Sequence, residues 1–233
     1  MKSILITAII SLIFTYTKAQ NLQSHYDFGK ERAMLTTTIE MFNVDDFGNT
    51  YFFVDLDHGG KAAGVEGVSL SYFEIAREFQ FWKNPFAIHA EYNSGMFRTS
   101  DFAAPINSAY LLGGSYTFAN LDFSSVYKVI LMYKHIDEKP RASFQFTTVW
   151  EFQFFDNKIS FSGFTDLWKE ENTVFDDTGN SSEADYVFIS EPQLWYNLTN
   201  QLSIGSEVEI SSNFAGHKGL MTNPTVALKW TFK

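Results

Sequence analysis

Residues 142–153 read ASFQFTTVWEFQ, and their alternation decides the fold class. Phe144, Phe146, Thr148, Trp150 and Phe152 share one parity, while Ser143, Gln145, Thr147, Val149, Glu151 and Gln153 share the other. Successive side chains of an extended chain point to opposite faces, so the segment predicts a β-strand with one aromatic and one polar face. The same period recurs on both sides. In 85–94, Phe86, Ile88, Ala90 and Tyr92 oppose Ala87, His89, Glu91 and Asn93; in 201–212, Leu202, Ile204, Val208 and Ile210 oppose Ser203, Glu207, Glu209 and Ser211. The last such segment sets Val226, Leu228, Trp230 and Phe232 against Thr225, Ala227, Lys229 and Thr231. Read this way, the chain holds about twelve strands. They lie near 21–28, 33–42, 49–58, 68–81, 86–95, 107–118, 124–135, 142–154, 159–169, 184–195, 201–212 and 221–232.

Aromatic residues make up 18% of the chain, yet its mean hydropathy is −0.13. A sheet with one apolar and one polar face gives that combination. A soluble sandwich or lipocalin-like barrel is the competing arrangement, but it would need bulky side chains inside. Here the polar face reads Gln, Thr, Ser, Glu, Asp and His, which suits a water-filled lumen. In lipid every backbone polar group needs an internal partner, so a spanning sheet must close on itself. The expected fold is therefore an all-β transmembrane antiparallel barrel, each strand near the roughly 9–11 residues that a tilted crossing needs. Connections around 45–48, 83–85, 120–122, 155–158 and 197–200 are turn-like, with Asn, Asp, Gly or Pro. Those at 58–67, 95–106, 170–183 and 213–220 read as longer loops, and of the outer connections only that near 29–31 is short. Short periplasmic turns and longer outer loops alternate in this way in outer-membrane barrels, and an even strand number leaves both termini in the periplasm. Trp82, Tyr127, Tyr133, Trp150, Trp195 and Trp230 are the expected interfacial girdles. Arg77 resists the scheme, sharing parity with Phe73, Ile75, Phe79 and Phe81. A β-bulge or a place near the headgroups would accommodate it.

The chain begins MKSILITAIISLIFTYTKAQ. Lys2, the apolar run from Ile4 to Phe14 and the small-residue pattern Thr17-Lys18-Ala19 predict a secretory signal peptide over 1–19, cleaved after Ala19, with the barrel spanning 20–233. The segment contains two of the 17 Lys and Arg and none of the 27 Asp and Glu, so the mature charge is 15 − 27 = −12. That acidity opposes nucleic-acid binding, which needs concentrated Lys and Arg. There is no Cys. Stability must come without disulfides, and lipoprotein processing is excluded.

Chemistry-bearing motifs are few. His25, His58, His89, His135 and His217 show no HxxxH or HExxH spacing, so no metal site is expected. GGKAAG at 59–64 lacks the second Gly before Lys of a phosphate loop. No nucleophile motif surrounds any Ser, so an outer-membrane lipid-modifying enzyme is the weaker expectation and no cofactor is called for. The acidic stretch 170–183, EENTVFDDTGNSSE, does not match EF-hand spacing and reads as a solvated loop. The polar faces say more. Asp55 and Asp57 alternate with Tyr51 and Phe53; Glu74 and Glu78, then His89 and Glu91, and later Lys128 and Lys134, also point to the polar side. Rings for stacking and carboxylates for hydroxyls suit a small polar, ring-bearing solute. These groups could equally pair with one another and block the lumen, which would leave a structural or surface-interaction role.

Three stretches carry a family resemblance: TTTIEMFNVDDFGNTYFFVDLDH at 36–58, YFEIAREFQFW at 72–82 and SGFTDLWKEENTVFDD at 162–177. They resemble the nucleoside-specific channel-forming (Tsx-like) outer-membrane family, in particular a Bacteroidetes branch of it. The closest correspondences are Glu40 with Phe42, Asp55 with Asp57, Glu74-Ile75 with Arg77, and Phe164-Thr165-Asp166. The resemblance implies a monomeric twelve-stranded barrel in outer-membrane lipid, with a narrow aromatic-lined pore passing nucleosides. Together with the strand faces, it nominates Glu40, Phe42, Tyr51, Phe53, Asp55, Asp57, Tyr72, Glu74, Glu78, His89, Glu91, Lys128, Lys134 and Asp166 as pore-lining or solute-binding residues.

Overall fold

The computed structural model describes residues 20–30, 32–59 and 63–232. The expected signal peptide lies outside the described residues. The described chain is all strand and turn: β1 Gln20–Asp27, β2 Met34–Asp45, β3 Gly48–His58, β4 Val68–Phe79, β5 Phe86–Arg98, β6 Ala103–Ala119 and β7 Ser125–Ile136. There follow β8 Ser143–Phe154, β9 Ile159–Phe175, β10 Ser181–Ser190, β11 Gln193–Asn197, β12 Leu202–Ser212 and β13 Leu220–Thr231. Sequence neighbours pair antiparallel, except β10 with β11, and β13 pairs with β1, which closes the sheet.

Two labels belong to one wall position. Both β10 and β11 lie between β9 and β12, and the register is the same across the gap: Ser190 faces Ile210 and Gln193 faces Glu207. On the other side Ser190 faces Thr165 and Gln193 faces Ser162, again in step. The interruption is Glu191–Pro192. Proline has no N–H to give the ladder, which interrupts regular pairing without shifting it. The molecule is thus a closed barrel of twelve strands, as the periodicity predicts, and the predicted strand 184–195 spans β10 and β11. Opposite Pro192 stands Gly163 with φ +150°, where a Cβ would fall 2.4 Å from the Glu191 carbonyl oxygen. Only glycine lets the backbones approach so closely.

The registers fix which side chains face in. Thr148, Phe146 and Phe144 pair with Val129, Leu131 and Tyr133, all outward; Gln145 pairs with Met132 and Trp168, all inward. The outward stripes stay exposed, with Phe144 at 64%, Leu131 at 59% and Leu228 at 53%. Water does not tolerate contiguous apolar surface of that kind, whereas lipid does. Arg77 keeps the outward parity without a bulge. It lies near the turn end of β4, where its guanidinium makes two bonds to Asp45 at 2.7 and 2.8 Å and sits over the Phe79 ring.

Two sequence expectations change. Trp195 is not part of a girdle: it shares the parity of Gln193, faces inward and is fully buried. Two of the outer loops are also shorter than expected, while those at 58–67 and 213–220 lie where the sequence places them. The strands β6 and β9 run for 17 residues each, and only 99–102 and 176–180 separate β5 from β6 and β9 from β10. Pairs such as Thr173 with Glu183 continue the ladder past the predicted membrane span because backbone groups bond to one another in water as well as in lipid.

Candidate functional site

The interior surface is built by one parity from every strand. On β3 this is Asn49, Tyr51, Phe53, Asp55 and Asp57, and each is only half-buried. Register places Phe53 beside Glu40 and Glu74, Asp55 beside Thr38 and Tyr72, and Tyr51 beside Phe42. Tyr51, Phe53 and Tyr72 form a ladder of rings, with centroids 5.9 and 5.7 Å apart. Carboxylates flank it. Glu40 accepts from the Tyr51 hydroxyl at 3.2 Å and from Asn21 at 3.0 Å, while Glu74 accepts from Tyr72 at 3.4 Å. Asp55 and Asp57 accept from Thr38 and Thr36 across the strand pair. Phe42 shares this face at the turn end of β2 and is 38% exposed.

The remaining nominated residues form a second, more buried group. Glu78 accepts from Lys128 at 2.6 Å, from Ser115 at 2.6 Å and from Asn49 at 2.7 Å. His89 lies 3.6 Å from Glu78 and 3.2 Å from Glu91. Glu74, Glu91, Asp166 and Lys134 act on one another electrostatically, so β4, β5, β7 and β9 bring these charges to a common region. The ammonium of Lys134 donates to Gln145 at 2.7 Å and lies 4.0 Å above the Trp168 ring. Every nominated residue therefore faces the interior. They split between an accessible aromatic and acidic side on β2–β4 and a paired, buried side that runs from Glu78 on β4 through β5 to β9.

Other lining residues were not among those nominated from the sequence. Trp195 meets His25 edge-on at 5.8 Å and lies 4.1 Å beneath the Lys229 ammonium. Glu207 accepts from Gln193 at 2.6 Å, and Glu209 binds Arg32 at 2.7 Å. Alternation carried the inward direction of Glu207, Glu209 and Lys229; nothing local ranked them above their neighbours. Part of the interior is apolar as well: Leu111, Ile130 and Met132 form one buried cluster, and Trp168, Val187 and Ile189 another.

Nucleophilic chemistry finds little support here. The Ser115 hydroxyl donates to Glu78 rather than to His89, and His25 contacts Thr225 and Gln23. Among the described residues no group of three or more His, Cys, Asp or Glu could hold a metal ion. In the loop 176–180, hydrogen bonds from Thr178 and from Asn180 hold the Asp176 carboxyl down to about 2. Asp177 is also held low, by Lys30 at 2.8 Å. Asp176 is thus engaged within its own turn and Asp177 by Lys30.

Residues 19–232 match a family described as a domain of unknown function, DUF5020. Among curated proteins, none matches the chain in sequence. Solved structures share the barrel. A NanC porin superposes with a TM-score of 0.59 at 7% identity, covering 92% of this chain and 100% of that one. The KdgM porin in complex with disordered oligogalacturonate superposes with a TM-score of 0.51 at 11% identity, covering 92% and 99%.

Proposed function

From the premise that the chain belongs to the DUF5020 family, and that its barrel is the one seen in two porins, we propose that it is an outer-membrane channel. It passes small polar solutes by passive diffusion. The observation that carries this reading is the half-buried ladder Tyr51, Phe53 and Tyr72, flanked by Glu40, Asp55 and Glu74. Rings offer stacking surfaces and carboxylates accept hydroxyl and amino protons, so each contact is modest and the solute can leave again. A nucleoside fits that chemistry and is the leading solute. The signal peptide over 1–19 supports export, and the termini then face the periplasm.

The KdgM structure holds oligogalacturonate, a polyanion. The charge of this lumen argues for different solutes. Inward carboxylates on β3, β4, β5, β9 and β12 outnumber the cations Arg32, Lys128, Lys134 and Lys229 that face or engage them. Neutral or cationic solutes are favoured over polyanions. A second reading, a barrel with a blocked lumen, draws support from the fully buried Met132 and Trp195. Swelling of liposomes carrying the refolded protein, driven by nucleosides, neutral sugars or amino acids, tests both. Swelling with nucleosides supports the channel; no swelling with any of them overturns it in favour of the blocked barrel.

A further inference from the structure

We propose that Glu191 sets the charge selectivity of the lumen, a reading that rests on the channel function above. Glu191 stands at the interruption between β10 and β11 and has the parity of Ile189 and Gln193, so its side chain faces in. The wall holds its backbone on both sides. The Glu191 N–H donates to the Phe164 carbonyl at 3.0 Å, and the Pro192 carbonyl accepts from Val208 at 3.0 Å. Position is therefore fixed although Pro192 removes a ladder bond.

What separates Glu191 from the other inward carboxylates is the lack of a partner. Asp55 is held by Thr38, Glu207 by Gln193, Glu209 by Arg32 and Glu78 by Lys128. Among the described residues the Glu191 carboxylate has no hydrogen bond and no ion pair, yet it is only half-buried. Glu207, Glu209 and Asp55 act on it with the same sign of charge. The cation acting on it, Arg32, is already engaged by Asp27 at 3.0 Å and Glu209 at 2.7 Å. In its ionised form, a carboxylate without a local partner projects its field into the lumen, where low-dielectric walls strengthen it. A passing cation gains a coordination partner there and an anion meets repulsion. Paired carboxylates contribute less of both.

The test is the reversal potential of the refolded protein in planar bilayers under a potassium chloride gradient, at an alkaline pH where the carboxyl is ionised. Wild type should prefer potassium over chloride. Glu191→Gln should move the reversal potential toward zero, and Glu191→Asp should keep the preference. The comparison variant is Glu151→Gln, at the exposed turn end of β8, where its carboxylate already accepts from Gln153 at 2.8 Å. It should move the potential much less. Folding of each variant is checked by its heat-dependent gel migration. A conducting wild type with an unchanged Glu191→Gln, or equal shifts from both Gln variants, overturns the assignment of Glu191 alone. A folded wild type that does not conduct overturns the channel reading beneath it.

Discussion

Trp195 tests the inward faces at the level of one side chain. Its indole is fully buried, donates to Gln193 at 2.9 Å and lies beneath Lys229. Trp195→Ala should cost about 3–5 kcal/mol in denaturant unfolding from lipid, because a large buried ring leaves a cavity. Trp230→Ala, on the 44% exposed outer face, should cost less. Equal costs would contradict the facing. The sequence could have shown this, since Trp195 and Gln193 share parity; its nearness to a strand end instead suggested a girdle. Phe53 is the reverse case, placed inward by alternation and found between Tyr51 and Tyr72. Phe53→Ala should weaken block of ion current by added uridine, by about 1–3 kcal/mol if a base stacks there. An unchanged block would remove Phe53 from the solute path. The partners of such residues were not legible. Alternation shows the face of Glu78, but its bond to Lys128 joins residues 50 positions apart and needs the closed sheet.

At the level of strands, the outward and inward stripes make a second contrast. Phe146 pairs with Leu131 and Leu167, which lie near the middle of their strands. Phe146→Arg places a charge at lipid depth and should cost about 2–4 kcal/mol in refolding into lipid. Ser162→Arg on the adjacent strand faces in, beside Glu151 and Gln193, and should cost far less. Matching costs would mean that the faces are exchanged. The twelve strands were legible because each face is chemically uniform and a one-residue slip would turn every aromatic inward. Strand ends were less so. Thr173 and Glu183 look like loop residues, yet they pair across a hairpin whose tip Asp176 organises by accepting from Thr178 and Asn180. Because Asp176 is held below its unfolded value, its contribution is full above about pH 4. It is lost as pH falls toward about 2. Asp176→Asn should therefore increase protease cleavage within 176–180 at neutral pH. Cleavage equal to wild type would show that the tip does not depend on this carboxylate.

Closure is the property of the whole molecule that no single strand holds. The last strand, β13, pairs with β1 from Asn21 with Thr231 through to Asp27 with Thr225, so none of the described strands is left as an edge. A sheet without an edge has no end from which hydrogen bonds can peel, and in lipid each broken bond exposes groups with no other partner. Unfolding must then open the barrel at several strands together. The refolded protein should stay compact in SDS at room temperature and migrate differently after boiling, and it should fractionate with outer membranes. The β1–β13 seam gives the sharper test. Deleting residues 220–233 removes β13 and leaves β1 and β12 as edges. The heat-dependent shift should then disappear, although every outward aromatic stripe outside β13 is intact. If the truncated chain kept the shift, adhesion of the apolar face to detergent rather than closure of the hydrogen-bonded ladder would be holding the barrel together.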